Sequence, residues 1–165
     1  MSSDACYFHY KYIRIPDMTL SALEGGGLLP VACKILLAYG LGLPTGWERF
    51  KHDRSAGLRT FPLVSLASCA FLLVAAQPNL DVAAQSRILV GVMTGIGFIG
   101  GGSIIKEADS VHGTATAAGL WNMGAIGAAV AFGNYGLAVL LCVLNYVTLL
   151  VMSYLEKKVK KDFNV

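Results

Sequence analysis

The chain has 165 residues, 55% of them hydrophobic and 14% charged, with a formal net charge of +3. An ordinary soluble domain carries about 25% charged residues, and a chain this short cannot wrap so much apolar surface in polar helices; a soluble globule is excluded. The modest charge, with no basic face bearing interleaved aromatics, gives no reason to expect nucleic acid as a partner.

Residues 1–26 form an N-terminal segment of their own. Met1 to Lys11 includes Asp4 and places Tyr, Phe and His where a secretory leader has its apolar run, so no leader is read. Tyr7, Phe8, Tyr10 and Tyr12, with Lys11 and Arg14, suit a segment lying at the lipid headgroups. A flexible tail is the alternative.

Beyond it, the charges leave long gaps. None occurs in the 21 residues between Arg59 and Asp81, the 18 between Arg87 and Lys106, or the 46 from Ser110 to Leu155. About 20 apolar residues cross a bilayer as a helix. The expected fold is therefore all-α, a polytopic membrane bundle of five spans over residues 27–155. The spans are placed at 27–47, 58–76, 88–105, 114–132 and 137–154, followed by a basic cytoplasmic tail at 156–165. Pro78 cannot continue a helix and marks the turn between spans two and three. The lipid bilayer is the first expected partner.

Orientation follows from Lys and Arg in the short loops. Arg49, Lys51, Arg54, Arg59, Lys106, Lys157, Lys158, Lys160 and Lys161 fall on one side. Lys11, Arg14 and Arg87 fall on the other. This places the N-terminus outside and the C-terminus in the cytoplasm. The loop after span one, with Glu48, Arg49, Lys51, Asp53 and Arg54, reads either as a solvated segment on anionic lipid headgroups or as a cation or regulator site built on Glu48 and Asp53. Glu48 and Arg59 flank that loop and are expected to pair.

Small and polar residues inside the spans need their own account. Gly42 and Gly46, Gly91 and Gly95, and Gly97 and Gly101 are each four apart, which puts them on one helix face where a backbone can approach. They serve packing within the bundle or a homo-oligomer contact. Lys34 is expected to snorkel to the interface or to pair with Glu24 or Asp81. Thr114 and Thr116 can bond their own backbone, and Asn122 must find a partner in lipid.

Other chemistry is not visible. Gly95 to Gly100 spells G-x-G-x-x-G, but it lies mid-span rather than after a strand, and position 120 is Leu rather than an acid. Cys6, Cys33, Cys69 and Cys142 are scattered without ligand spacing. No catalytic residue, metal site or cofactor is read, and no enzyme is expected. The spans hold no carboxylate and no broken-helix pair of the kind transporters use.

Taken together, the motifs resemble the MgtC/SapB family of bacterial inner-membrane proteins. Lys34 stands where the family usually has Arg. Gly46, Glu48 and Arg49 match its G-x-E-R span end, and Ala56-Gly57-Leu58-Arg59-Thr60 its A-G-L-R-T signature. Arg87 precedes a glycine stretch from Gly95 to Gly102, and Gly113, Thr116, Ala117, Ala118 and Trp121 match the last motif. Pro44 and Trp47 depart from the pattern, so the end of span one is open to a different kink. The resemblance implies a short form without a soluble C-terminal domain, in a family tied to magnesium limitation, acid stress and survival in host cells. It adds Glu48, Arg49, Arg59, Thr60, Arg87, Thr116 and Trp121 to the functional candidates, beside Asp53 and Asn122 from the charged loop and the polar positions in the spans. Two roles stay open. One is a regulatory or accessory factor acting on itself or another membrane complex; the other is a channel or transporter for Mg²⁺ or another cation.

Overall fold

The computed structural model describes residues 28–51, 56–76, 80–108 and 110–162. Five helices follow in order: α1 Leu28–Lys51, α2 Thr60–Ala75, α3 Val82–Gly102, α4 Thr114–Ala131 and α5 Tyr135–Asp162. Between α3 and α4 lies a two-residue antiparallel pair, β1 Ile105–Lys106 with β2 Val111–His112. The fold is an all-α membrane bundle. The N-terminal segment, Asp53 and the turn at Pro78 lie outside the described residues.

Local chemistry sets the helix ends. Asp81 caps α3 by accepting from the Ala84 N–H at 2.6 Å. The N–H groups of Thr60 and Phe61 both donate to the Gly57 carbonyl, and Pro62, which follows in the first turn of α2, has no N–H to satisfy. Gly113 holds a left-handed φ of 90° before α4, and a side chain there would fall on the Ser103 carbonyl oxygen. At the far end, Gly133 has φ 77°. Asn134 N–H then reaches Ala129 O and Gly133 N–H reaches Val130 O, which closes α4 in a Schellman turn.

The helices divide by length. α1, α3 and α5 are long and apolar enough to cross a bilayer by themselves. α2 has 16 residues and α4 has 18, about 24 and 27 Å at 1.5 Å per residue. These two shorter helices are the most buried. α4 is central and touches the other four. Phe61 and Leu72 from α2 and Leu120, Met123, Ile126 and Val130 from α4 are fully buried between them. By contrast α3 buries only Ile96 and Gly100.

The glycines that let α4 into the centre differ from those their spacing marks. A Cβ at Gly127 would meet the Ser65 carbonyl oxygen and Ser68 Cβ, and one at Gly124 would meet Ile96 Cδ1. At Gly119 it would touch the Phe61 ring at 3.0 Å. On α1 the expectation of intrachain packing is met: a Cβ at Gly42 would lie 2.6 Å from Pro62 Cα, and one at Gly46 3.1 Å from Leu58 Cα. On α3 it is not met. Gly91, Gly95, Gly97 and Gly101 have nothing within 4 Å, because α3 stands at the periphery, with Gly91 and Gly95 on an open cleft toward α2 and Gly97 and Gly101 exposed.

The end of α1 is also corrected. The helix does not end at residue 47 but runs through Pro44 and Gly46 to Lys51. Pro44 lies on the exposed side, while Thr45, Gly46, Glu48 and Arg49 are buried against the bundle.

Candidate functional site at the Glu48 end of the bundle

The buried face of α1 runs through Ala38, Gly42, Thr45, Gly46 and Arg49, the three- and four-residue steps of one helix side. Absent side chains at Gly42 and Gly46 let α1 lie directly on the start of α2. This close approach carries Glu48 and Arg49 inward, leaving them 4% and 6% exposed. The expected solvated loop therefore begins only after them.

Two contacts tie the same stretch of α1 to α5. Asn145 Nδ2 donates to Thr45 Oγ1 at 3.3 Å, and Cys142 Sγ to Leu41 O at 3.1 Å. Thr45 is fully buried, so its hydroxyl needs an internal partner. Nothing in the composition marked the pair, although Asn145 is a lone amide in an apolar run and carried the same signal as Asn122. Asn122 itself donates to Leu141 O at 3.3 Å, linking α4 to α5.

Beside Arg49 opens a polar cavity of about 420 Å³, lined by Arg49, His112, Thr114, Thr116, Thr148 and Ser153 among others. Thr116 is buried and Thr114 opens α4, so the cavity combines hydroxyls, one guanidinium and the positive end of a helix dipole. Arranged in this way, the groups offer hydrogen-bond partners to water or a polar solute. His112 lies on β2, with Ser110 Oγ at 2.9 Å and Glu107 Oε2 at 3.9 Å from its Nε2. Among the described residues no three His, Cys, Asp or Glu side chains come together as metal ligands.

Not all candidates gather here. Arg49 and Thr116 share the cavity, and Glu48 precedes Arg49 in the same buried turn. Arg59 and Thr60 line a different cleft, between α2 and α3. Arg59 is exposed, and the pairing expected with Glu48 is not formed among the described residues. The reason is the burial of the helix end: Glu48 turns into the bundle while Arg59 stays outside it. Trp121 is half exposed beside a small cavity shared by α3, α4 and α5. Arg87 is exposed near the start of α3, at the opposite end of the molecule from Arg59.

Five packed helices, three of them long enough to span by themselves, with polar groups gathered at one end of the bundle, define a small polytopic membrane protein. The family model described as the MgtC family matches residues 35–158, and the chain belongs to that family. The match runs through α5, beyond the four motifs legible in the sequence. Among curated proteins, SrpB of Synechococcus elongatus is 34% identical over 149 residues, 82% of this chain and 80% of that protein. "Putative magnesium transporter YhiD" of Escherichia coli is 37% identical over 112 residues, 64% of this chain and 52% of its own. MgtC of Salmonella typhimurium is 36% identical over 108 residues, 66% of this chain and 46% of its own. The chain thus spans about half the length of the latter two. No solved structure is a significant match.

Proposed function

We propose that the chain is a regulatory or accessory protein of magnesium and ion homeostasis in the bacterial inner membrane, working through helix contacts with a copy of itself or another membrane protein. One observation carries the reading. The centre of the bundle is filled by large fully buried side chains, whereas α3 turns Gly97, Gly101 and Phe98, which is 85% exposed, away from the chain. A peripheral helix of this kind is a surface for other membrane helices. Site-specific photocrosslinking from Phe98 in intact membranes tests it. Capture of a discrete protein adduct, lost in a Gly97→Leu, Gly101→Leu variant together with growth at low Mg²⁺, supports the reading; lipid adducts alone with normal growth would end it.

The polar cavity at Arg49 and Thr116, together with the magnesium transport named for YhiD, favours a second reading as a channel or transporter for Mg²⁺ or another cation, acting as an oligomer. Purified protein in liposomes separates the two. Cation flux above that of empty vesicles, abolished by Glu48→Gln, favours conduction, and its absence favours the accessory role.

A further inference from the structure

A second cavity lies at neither the polar end nor the core. It is a cleft of about 740 Å³ between α2 and α3, lined by Leu63, Ala67 and Phe71 on one side and Ile88, Gly91 and Gly95 on the other. The two helices run antiparallel, so the pairs Phe71 with Ile88 and Thr60 with Ile99 mark its ends. From Thr60 to Phe71 it extends for about 17 Å at 1.5 Å per residue.

Glycines usually let membrane helices close on each other. At Gly91 and Gly95 they do not, since an added Cβ would meet nothing within 4 Å. Their small size leaves the space open, and the walls that remain are almost wholly apolar. A void of this size facing hydrocarbon does not stay empty, because its lining would lose dispersion contacts.

One end is different. Arg59 lines the cleft there, exposed, at the cap position of α2. Its guanidinium and the positive end of the α2 dipole both favour an anion. The depth is marked independently. Leu58, its neighbour in the chain, packs against Gly46 of α1. One residue on from Gly46, Trp47 is half exposed with Lys51 Nζ 5.7 Å above its ring. An exposed Trp with a Lys beside it is the usual signature of headgroup level. A cation at headgroup level, opening onto an apolar cleft that descends into the bilayer, has the shape and charge pattern of a phospholipid.

We propose that this cleft binds one membrane glycerophospholipid, its phosphodiester held by Arg59 and an acyl chain laid between α2 and α3. A helix from a second copy fits less well, since the membrane-spanning stretches of α3 and α5 offer Arg59 no carboxylate. The bound lipid differs from the annular layer in being retained through purification.

Native mass spectrometry of the full chain in detergent, after delipidation, tests this with three probes: phosphatidylglycerol, diacylglycerol with the same chains, and inorganic phosphate. Phosphatidylglycerol is expected to rebind with one-to-one stoichiometry, and the other two at least about tenfold more weakly, since each lacks half of the recognition. Arg59→Gln should weaken phosphatidylglycerol by about tenfold. Gly95→Leu should fill the cleft and also lower occupancy without changing the melting temperature, and Lys106→Gln should leave occupancy unchanged. Equal binding of diacylglycerol, or undiminished occupancy in both Arg59→Gln and Gly95→Leu, would overturn the proposal. So would a photocrosslinker at Leu63 that captures a second copy of the chain instead of lipid.

Discussion

Lys34 Nζ donates a 2.9 Å hydrogen bond to the carbonyl oxygen of Ala131, 97 positions further along the chain. Ala131 closes α4, where carbonyls lack partners inside the helix and the dipole is negative. With 7% exposure, Lys34 does not snorkel, and among the described residues it reaches no acid. Asp81, one of its expected partners, instead caps α3; Glu24, the other, lies outside the described residues. The helix end offers an acceptor nearer than the headgroups. Hydrogen bonds to charged groups contribute about 1.5–3 kcal/mol. Lys34→Met is therefore expected to lower stability by about that range, while Lys34→Arg, which keeps a donor and a charge, stays near the parent. Thermal unfolding in detergent reads both, and a Lys34→Met protein as stable as the parent would dismiss the lock.

The glycines separate into two sets with opposite expectations. Gly127→Ala forces a Cβ onto Ser65 and Ser68, and overpacking of this kind costs about 1–3 kcal/mol. Gly97→Leu and Gly101→Leu add bulk where nothing stands within 4 Å, so the melting temperature of the monomer should not move. If α3 meets a second copy, the same pair shifts the molecule toward smaller species in sedimentation. A fall in monomer stability for Gly101→Leu would contradict the peripheral position of α3.

Glu48 and Arg59 should behave independently. Glu48 is buried at the end of α1 and Arg59 is exposed on the far flank of α2. Residues without shared partners add within about 0.3–0.5 kcal/mol in a double-mutant cycle. Glu48→Ala is expected to cost much more than Arg59→Ala, with their sum recovered in the double variant. A coupling above about 1 kcal/mol would restore the ion pair between them.

The existence, type and order of four of the five helices were legible because uncharged stretches of 18 residues or more have few other uses; α1, interrupted by Lys34, was read from the apolar residues around it. What the charge pattern could not convey is direction around a helix axis. Spacing of four places Gly97 and Gly101 on one face but not toward a neighbour, although the same spacing at Gly42 and Gly46 does meet the start of α2, and the close approaches on α4, at Gly119, Gly124 and Gly127, lie five and three residues apart. The extension of α1 past Trp47 was hidden for a similar reason. Glu48 and Arg49 read as a loop in isolation and become helical because the bundle buries them. Lys34 was legible as an anomaly, but its partner is a backbone atom, and no side-chain pattern announces a carbonyl. Of the candidates, Arg49 and Thr116 come together on one cavity; Thr45 and Asn145 were not among them, their bond being visible only once α1 and α5 are side by side.

Topology is the last expectation. Helix-to-helix connections in the bundle are short, and five successive crossings leave the two ends of the helical region on opposite faces. The cations then choose which face is which. Nine Lys and Arg residues lie with the loop after α1, the β1–β2 hairpin and the end of α5, against three on the other side, Lys34 aside. That imbalance sets orientation because short basic loops resist translocation. A reporter fused after Val165 is expected to register in the cytoplasm, and one inserted ahead of Asp4 outside. Neither fusion disturbs α1 to α5, since both positions lie beyond the described helices. If α2, the shortest helix, dipped in and returned without crossing, the two reporters would register on the same side, and the arrangement of Lys34 and Ala131 at one end with Arg49 and Thr116 at the other would no longer map onto two faces of the membrane.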